Sequence, residues 1–230
     1  MNFLELCQRT ASECSASLTG PTDTTSQTGR LGQIVKWVNS AWMDIQTRHD
    51  DWNFMRSSFT LATTSGDGRY TYSDCTDTGT AVAIANFRSW LMDKFKIYQT
   101  SAGQGTETYL RPMSYTDWYW RYNTGAQTNG PPRFVIIAPD SAILLAQVPD
   151  GAYAVKGEYM KAATELSGDT DIPEMPGEYH MAIVYRAMMK YGRYNAAAEV
   201  HADGQENYVR MMKEMSRTYR PAQLIGGPLA

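Results

Sequence analysis

The strongest constraint on the fold is a helical pattern of large apolar side chains near each end of the chain. Near the beginning, apolar residues recur at steps of three and four, which predicts one buried face of a helix from about Thr28 to His49. These residues are Leu31, Ile34, Val35, Val38, Trp42 and Ile45. The same spacing returns near the other end, at Tyr179, Ile183, Ala187 and Lys190. Each apolar stripe needs a partner surface, so we expect helices from both ends to pack together.

Capping residues predict the starts of two further helices. Asn2 and Glu5 have the spacing of a capping box, which indicates a short helix over residues 2–15. Asp203 and Glu206 repeat that spacing, and we expect the last helix to begin there.

The middle of the chain has the signals of short strands. An alternating pattern at Phe59 and Leu61 is followed by Gly66–Gly68, then by Tyr70 and Tyr72, which predicts strands on both sides of a turn. Further short runs are separated by Gly or Pro. They predict strands over residues 81–85, 95–98, 106–110, 133–138, 142–147 and 153–160. Ser114 is a capping residue, so residues 114–122 are expected to form a helical turn or two within this region.

These patterns predict an α+β fold with three parts. An α-helical bundle is expected to form from both chain ends, residues 1–52 and 174–219, with an antiparallel β domain, residues 53–173, inserted between them. Residues 220–230 contain two Pro and two Gly and are expected to be an extended tail.

Charge and hydropathy exclude several classes of protein. The formal net charge is −3, so no basic field over the whole chain favours nonspecific binding to nucleic acid or to an anionic membrane. The first residues carry an acid where a signal peptide has basic ones, and no segment approaches the apolar length of a membrane span. We therefore expect a soluble protein that is made in the cytoplasm and does not bind a membrane.

The cysteines fit a reducing compartment. Cys7 and Cys14 lie seven residues apart in one predicted helix, which separates their Cα atoms by roughly 10 Å and is too far for a disulfide. Cys75 completes an odd number of cysteines, so the pattern is not that of a disulfide framework.

No group of residues in the sequence has the spacing of a catalytic or metal site. The three histidines are scattered through the chain, at His49, His180 and His201. We expect His180 to lie at the surface or at an interface. Asp169, Asp171 and Glu174 have part of the spacing of a calcium loop but lack its glycine and its closing glutamate. The chain is therefore expected to have no catalytic residues, no cofactor and no metal, and not to be an enzyme.

Two long segments resemble a known family. The first is the helical run with its Trp-containing end, residues 29–56, and the second spans residues 131–194. In the second, a Pro-led strand, a PDGAY turn and an EYxxxA strand precede a D-x-P-x-x-P linker. Together these segments resemble the head-to-tail adaptor, or connector, proteins of tailed bacteriophages, and more distantly tail tubular protein A of short-tailed phages. They are features of a fold rather than of a catalytic site.

The resemblance implies a structural role. Subunits of this family form a ring, commonly dodecameric, that joins the portal of the capsid to the tail and lets DNA pass through its centre. The implied partners are copies of the chain itself, the portal protein, a downstream tail or neck protein, and passing DNA without sequence-specific binding. The implied location is the head-tail interface of the virion, after synthesis in the host cytoplasm.

Two sets of residues are the candidate contacts. The end of the last helix and the tail are expected to contact the portal or a neighbouring subunit through Tyr219, Arg220, Leu224, Ile225 and Leu229. The aromatic residues Trp118, Tyr119 and Trp120 are candidates for an inter-subunit or tail contact. Because DNA must slide through the ring, Arg186, Lys190 and Arg193 are expected to pair with acids of the same or a neighbouring subunit rather than point freely into the channel.

Two alternative functions remain open on the sequence alone. The first is a different neck or tail-completion protein of the same virion. The second is a carbohydrate-binding β module that uses Trp118, Tyr119 and Trp120 as a stacking platform.

Overall fold

We describe a computed structural model of the chain, which covers residues 1–17, 19–125 and 128–220. It has the predicted α+β character. The helices are α1 (Phe3–Glu13), α2 (Gly29–Arg48), α3 (Tyr115–Tyr122), α4 (Met181–Tyr194) and α5 (Ala198–Tyr219). The strands are β1 (Arg56–Ala62), β2 (Arg69–Tyr70), β3 (Thr76–Asp77), β4 (Phe87–Gln99), β5 (Thr108–Tyr109), β6 (Arg111–Pro112), β7 (Phe134–Ile137), β8 (Ile143–Ala146) and β9 (Tyr153–Lys161).

The chain divides into two compact units. Among the described residues, a helical unit comprises Met1–Met55 and residues 163–220, and a β-rich unit comprises Arg56–Ala162. The candidate contacts Leu224, Ile225 and Leu229 lie outside the described residues.

In the helical unit, α4 contacts α1, α2 and α5. The predicted cap of α1 is confirmed, because the Asn2 side chain accepts a hydrogen bond from the Glu5 amide at 2.8 Å and Glu5 accepts one from the Asn2 amide at 3.0 Å. The predicted apolar stripe of α2 is also confirmed, since Ile34, Val38 and Trp42 are buried. Helix α4 therefore contacts three other helices of the unit.

The predicted start of the last helix is wrong. Helix α5 begins at Ala198, so Asp203 lies inside it and its carboxylate accepts a hydrogen bond from Asn207 Nδ2 at 3.0 Å. Ala198 and Ala202 are strong helix formers that lie inside the helix before Asp203, so the helix begins ahead of the apparent capping box.

The β-rich unit contains two sheets that share a core. The five-stranded sheet has the order β3-β1-β9-β4-β5, and the four-stranded sheet has the order β2-β8-β7-β6. Their buried side chains form one cluster that includes Phe59 and Val155 of the first sheet and Val135 and Leu145 of the second. The predicted antiparallel arrangement needs one correction, because β6 pairs with β7 in parallel.

Several predicted strands differ from the structure. Residues 81–85 form no strand, because Ala81 adopts a left-handed φ of 57° and only Ala83 makes an isolated bridge, to Thr76. The segments around the Gly66–Gly68 turn do not form a hairpin, since β1 pairs with β9 and β3 whereas β2 pairs with β8. Tyr72 begins a short 3-10 turn instead of extending β2. The strand expected at 106–110 is shortened to two residues, because Gln104–Thr106 forms another 3-10 turn.

Candidate functional site

Helix α3 is a short helix whose start is fixed by a local cap. The Ser114 hydroxyl accepts a hydrogen bond from the Asp117 amide at 3.1 Å and donates one to the Asp117 carboxylate at 2.7 Å. The predicted helical turns after Ser114 are therefore confirmed. A capped helix of eight residues with five aromatic side chains must bury some of them and expose the others.

The inner side of α3 packs on the four-stranded sheet. Trp118 and Tyr122, both half-buried, contact a cluster of buried residues of that sheet. Those residues are Ile136, Ala138, Ala142, Leu144 and Ala146. Of the three aromatic candidates, Trp118 therefore fixes the helix to the sheet and is only partly available to a partner.

The outer side of α3 is an exposed aromatic surface. Trp120 is 70% exposed, Tyr119 46% and Tyr115 37%. The rings of Tyr119 and Trp120 lie 5.6 Å apart, and those of Tyr115 and Tyr119 lie 6.5 Å apart. We call these three residues the aromatic face of α3. Tyr115 was not among the residues predicted from the sequence, although its position four residues before Tyr119 is the spacing that shares a helix face.

Large aromatic side chains on a helix surface are typical of protein contacts. Tyr and Trp are enriched among the residues that dominate binding energy, because they bury a large area and lose little conformational freedom. The geometry is less suited to stacking a sugar ring, because the planes of Tyr119 and Trp120 are 89° apart and form no flat platform. The aromatic face of α3 thus favours a protein partner over a carbohydrate.

The other predicted contact begins at the end of α5. The Tyr219 hydroxyl donates a hydrogen bond to Glu178 at 3.2 Å, and its ring lies edge-on to Tyr179 at 5.7 Å. Arg220 makes a two-pronged contact with Asp51, with Nε–Oδ1 at 3.0 Å and Nη2–Oδ2 at 3.1 Å. Both residues are therefore engaged within their own chain. They lie in the helical unit, whereas the aromatic face of α3 lies in the β-rich unit.

Charges around the Arg220 contact are coupled. The hydrogen bond from Arg220 holds the pKa of Asp51 below its ordinary value. Burial and the positive charges of Arg220 and Arg48 lower the pKa of His49, whose ring lies 4.9 Å from that of the buried Trp52. The role of Asp51 as the partner of Arg220 has no local sequence signal, because the two residues are 169 positions apart.

Two of the three cations expected to be paired share one acid. Asp44 on α2 accepts from Arg186 Nη2 at 2.9 Å and from Lys190 Nζ at 3.0 Å, both on α4. Lys190 also donates to the Ser40 hydroxyl at 2.6 Å. The exposed Arg193 has no acidic partner within residues 1–17, 19–125 and 128–220.

The remaining polar residues considered in the sequence hold the fold together. His180 is buried, which corrects its expected surface position, and its Nε2 lies 3.1 Å from the Met175 carbonyl oxygen. Asp169 accepts hydrogen bonds from the amide and hydroxyl of Thr24, at 2.8 and 2.6 Å. Asp171 accepts from the amides of Ser167 and Gly168 at 2.8 and 2.9 Å. These acids therefore stabilise loops.

The described residues contain neither a metal-binding cluster nor a membrane-spanning helix. No cluster of three or more His, Cys, Asp or Glu side chains in that part of the chain could hold a metal ion. In the same part, no helix has the length and apolar character needed to cross a bilayer.

Comparison with known proteins gives the family. No curated protein matches the chain. The profile of the SU10 adaptor protein family matches residues 1–225, which includes both compact units and the helix that carries the exposed aromatic residues. Because the match extends over almost the whole sequence, the chain belongs to the SU10 adaptor protein family, a family of phage head-to-tail adaptors.

Proposed function

We propose that this chain is the subunit of a dodecameric ring that joins the capsid portal to the tail and lets DNA pass through its centre. The observation that carries the proposal is the family match over residues 1–225. The ring would lie at the head-tail interface of the virion, with the portal on one side and a tail or neck protein on the other.

The proposed subunit has a helical bundle formed from both chain ends and an inserted β domain. Contacts of α4 with α1, α2 and α5 support the bundle, because these helices come from opposite ends of the sequence. A subunit of this kind offers two separate elements for contacts, one built from helices and one from sheets.

In this proposal, the aromatic face of α3 contacts a neighbouring subunit or a tail protein. Its support is the exposure of Trp120 and Tyr119, which would each bury a large apolar area in a complex. The tail after Arg220 is proposed to contact the portal or the next subunit through Leu224, Ile225 and Leu229. Each of those three side chains would contribute about 1.5 to 3 kcal/mol if it were fully buried.

DNA passage is supported by the charge balance of the chain. The net charge of −3 would make a ring of these subunits acidic overall, and Asp44 already neutralises part of the charge of Arg186 and Lys190. Cations that are paired with an acid make fewer fixed phosphate contacts, which favours sliding of the duplex.

Binding of the purified chain to immobilised portal protein tests the proposal. We expect the wild type to bind saturably. Trp120→Ala should leave this binding intact if α3 faces the tail, and should weaken it if α3 lies between subunits. The matched control is Ile172→Ala, because Ile172 is also an exposed apolar residue, at 67%. Absence of portal binding by the wild type, or specific binding to a glycan array, would contradict the proposed function.

A further inference from the structure

A second surface of the β-rich unit is a groove of about 290 Å³ beside β5, β6 and β7. It is lined by Thr108, Tyr109, Arg111, Pro132, Arg133 and Phe134. Strand β5 is an edge strand of the five-stranded sheet and β6 is an edge strand of the four-stranded sheet, and each has only two residues. We call this surface the arginine groove.

The backbone brings the two arginines of the groove together. Strands β6 and β7 are paired with Arg111 opposite Phe134, and the Arg111 amide donates to the Arg133 carbonyl at 3.0 Å. Both side chains are exposed, and neither has an acidic partner at ion-pair distance in the part of the chain that the structure describes. Tyr109, in the same groove, is 69% exposed.

Two unpaired guanidinium groups beside an aromatic ring suit a carboxylate-bearing partner. Arginine binds carboxylates through two parallel hydrogen bonds, and arginine and tyrosine are both enriched at protein interfaces. Charged residues on edge strands also have a simpler use, which is to prevent unwanted strand pairing. That use requires no partner, so it predicts that reversing the charge of Arg111 and Arg133 leaves assembly unchanged.

The chain carries a complementary acidic surface on α5. Glu199, Asp203 and Glu206 are spaced by four and three residues, so they share one face of the helix, and all three are exposed. No Lys or Arg occurs from Ala198 to Val209. The helix dipole favours an acid in the first turn, where Glu199 lies, but its effect fades beyond that turn and does not explain Asp203 and Glu206. We call these three residues the acidic stripe.

We propose that the arginine groove of one copy binds the acidic stripe of α5 on the next copy. The two surfaces differ from one another, so the contact is head-to-tail, and a head-to-tail contact that closes on itself generates a ring. The partner is a second copy because both members of the charge pair are on this chain. The inference rests on the proposed ring.

Charge reversal followed by mixing tests this contact. The groove variant Arg111→Glu/Arg133→Glu and the stripe variant Asp203→Lys/Glu206→Lys each place like charges at the contact. In an equimolar mixture, the reversed groove meets the reversed stripe, and the unchanged stripe of the first variant meets the unchanged groove of the second. We expect each variant alone to show at least a tenfold loss of subunits bound per portal in native mass spectrometry, and the mixture to regain the wild-type number.

The matched control is a variant in which two basic residues outside the groove are replaced by glutamate, so that its net charge changes as much as that of the groove variant. Arg69→Glu/Lys94→Glu changes two exposed basic residues of the same unit outside the groove, and it should assemble as the wild type does. Circular dichroism and thermal melting verify that each variant is folded.

The outcomes separate this inference from the proposed function. Suppose that the wild type forms a ring and that a folded groove variant or stripe variant also forms one alone. This result would overturn the inference, and the proposed ring would stand. A mixture of folded variants that stays unassembled would overturn it as well, because a direct charge pair must be restored by exchange. A wild type that forms no ring on the portal contradicts the proposed function, and the inference falls with it.

Discussion

Arg220 at the end of α5 and Asp51 just after α2 form a two-pronged ion pair, which fixes the residue from which the C-terminal tail departs. The two residues are 169 positions apart in the sequence. The contact therefore ties the end of the last helix to the segment that follows the second one.

Loss of the Asp51 carboxylate is expected to loosen the end of α5. Asp51→Asn should increase trypsin cleavage after Arg217, in the last turn of that helix, as measured by mass spectrometry of the released peptides. Because the pKa of Asp51 is lowered in the folded chain, the contribution of the pair is present above the ordinary carboxyl pKa of about 3.9 and is lost as the pH falls further. Glu13→Gln, which removes the Arg9–Glu13 pair within α1, is the control and should not change this cleavage.

Asp77 is expected to be a major source of stability in the β-rich unit. Its carboxylate is buried and accepts from Ser57 Oγ at 2.6 Å, from the Tyr159 hydroxyl at 2.7 Å and from the amides of Gly79 and Thr80 at 2.8 and 2.9 Å. Asp77→Ala leaves these donors unsatisfied and should lower the free energy of unfolding by about 3 kcal/mol, measured by urea denaturation.

The pH dependence of the Asp77 contribution has a defined sign. Burial alone would raise the pKa of Asp77, but the hydrogen bonds from Ser57, Tyr159, Thr80 and Gly79 outweigh it and hold that pKa well below the ordinary value. The stability difference between wild type and Asp77→Asn should therefore be largest above about pH 4 and shrink as the pH falls below it. A difference that grows on acidification would contradict this account.

Gly157 on β9 allows close packing of two aromatic rings. A Cβ atom added there would lie 2.7 Å from Phe59 Cε1 and 3.2 Å from Phe95 Cδ2. Gly157→Ala should cost about 1 to 3 kcal/mol of unfolding free energy, because both rings are buried in the shared core and have little room to move. Gly151→Ala, whose added Cβ would meet no atom within 4 Å, is the control and should be close to neutral.

Sequence patterns predicted the helices better than the strands. Helix α2 was predicted because six apolar residues repeat over four turns, and α1 and α3 because Asn2 and Ser114 are caps that act within a few residues. Strand pairing depends on residues far apart, so nothing near Phe59 indicates that β1 pairs with β9 rather than with the neighbouring β2. The start of β4 at Phe87 was missed because its first residues do not alternate cleanly between buried and exposed positions.

For the candidate contacts too, local features could be predicted from the sequence, whereas contacts between distant residues could not. The aromatic residues of α3 were recognisable from their composition, but their division into the inward Trp118 and the outward Trp120 depends on where the helix meets the four-stranded sheet. The Arg220–Asp51 pair and the arginine groove join residues that are separated in sequence, and no local sequence pattern predicts either of them.

Neutralising Asp44 is expected to increase the hold of the ring on DNA. Asp44→Asn leaves Arg186 and Lys190 without their shared acid, so each subunit presents two more free cations. Because each additional free cation can contact a phosphate, DNA retention should rise and become more steeply dependent on salt in a filter-binding titration. Glu214→Gln, which removes one negative charge at an exposed position, is the control.

Imaging of the purified chain with and without its portal tests the central claim most directly. We expect negative-stain particles of the mixture to show a ring of this subunit docked coaxially on the portal, with twelve-fold averages and an open centre. Particles in which the portal remains bare, or in which the chain binds it as an isolated unit without a ring, would contradict the account.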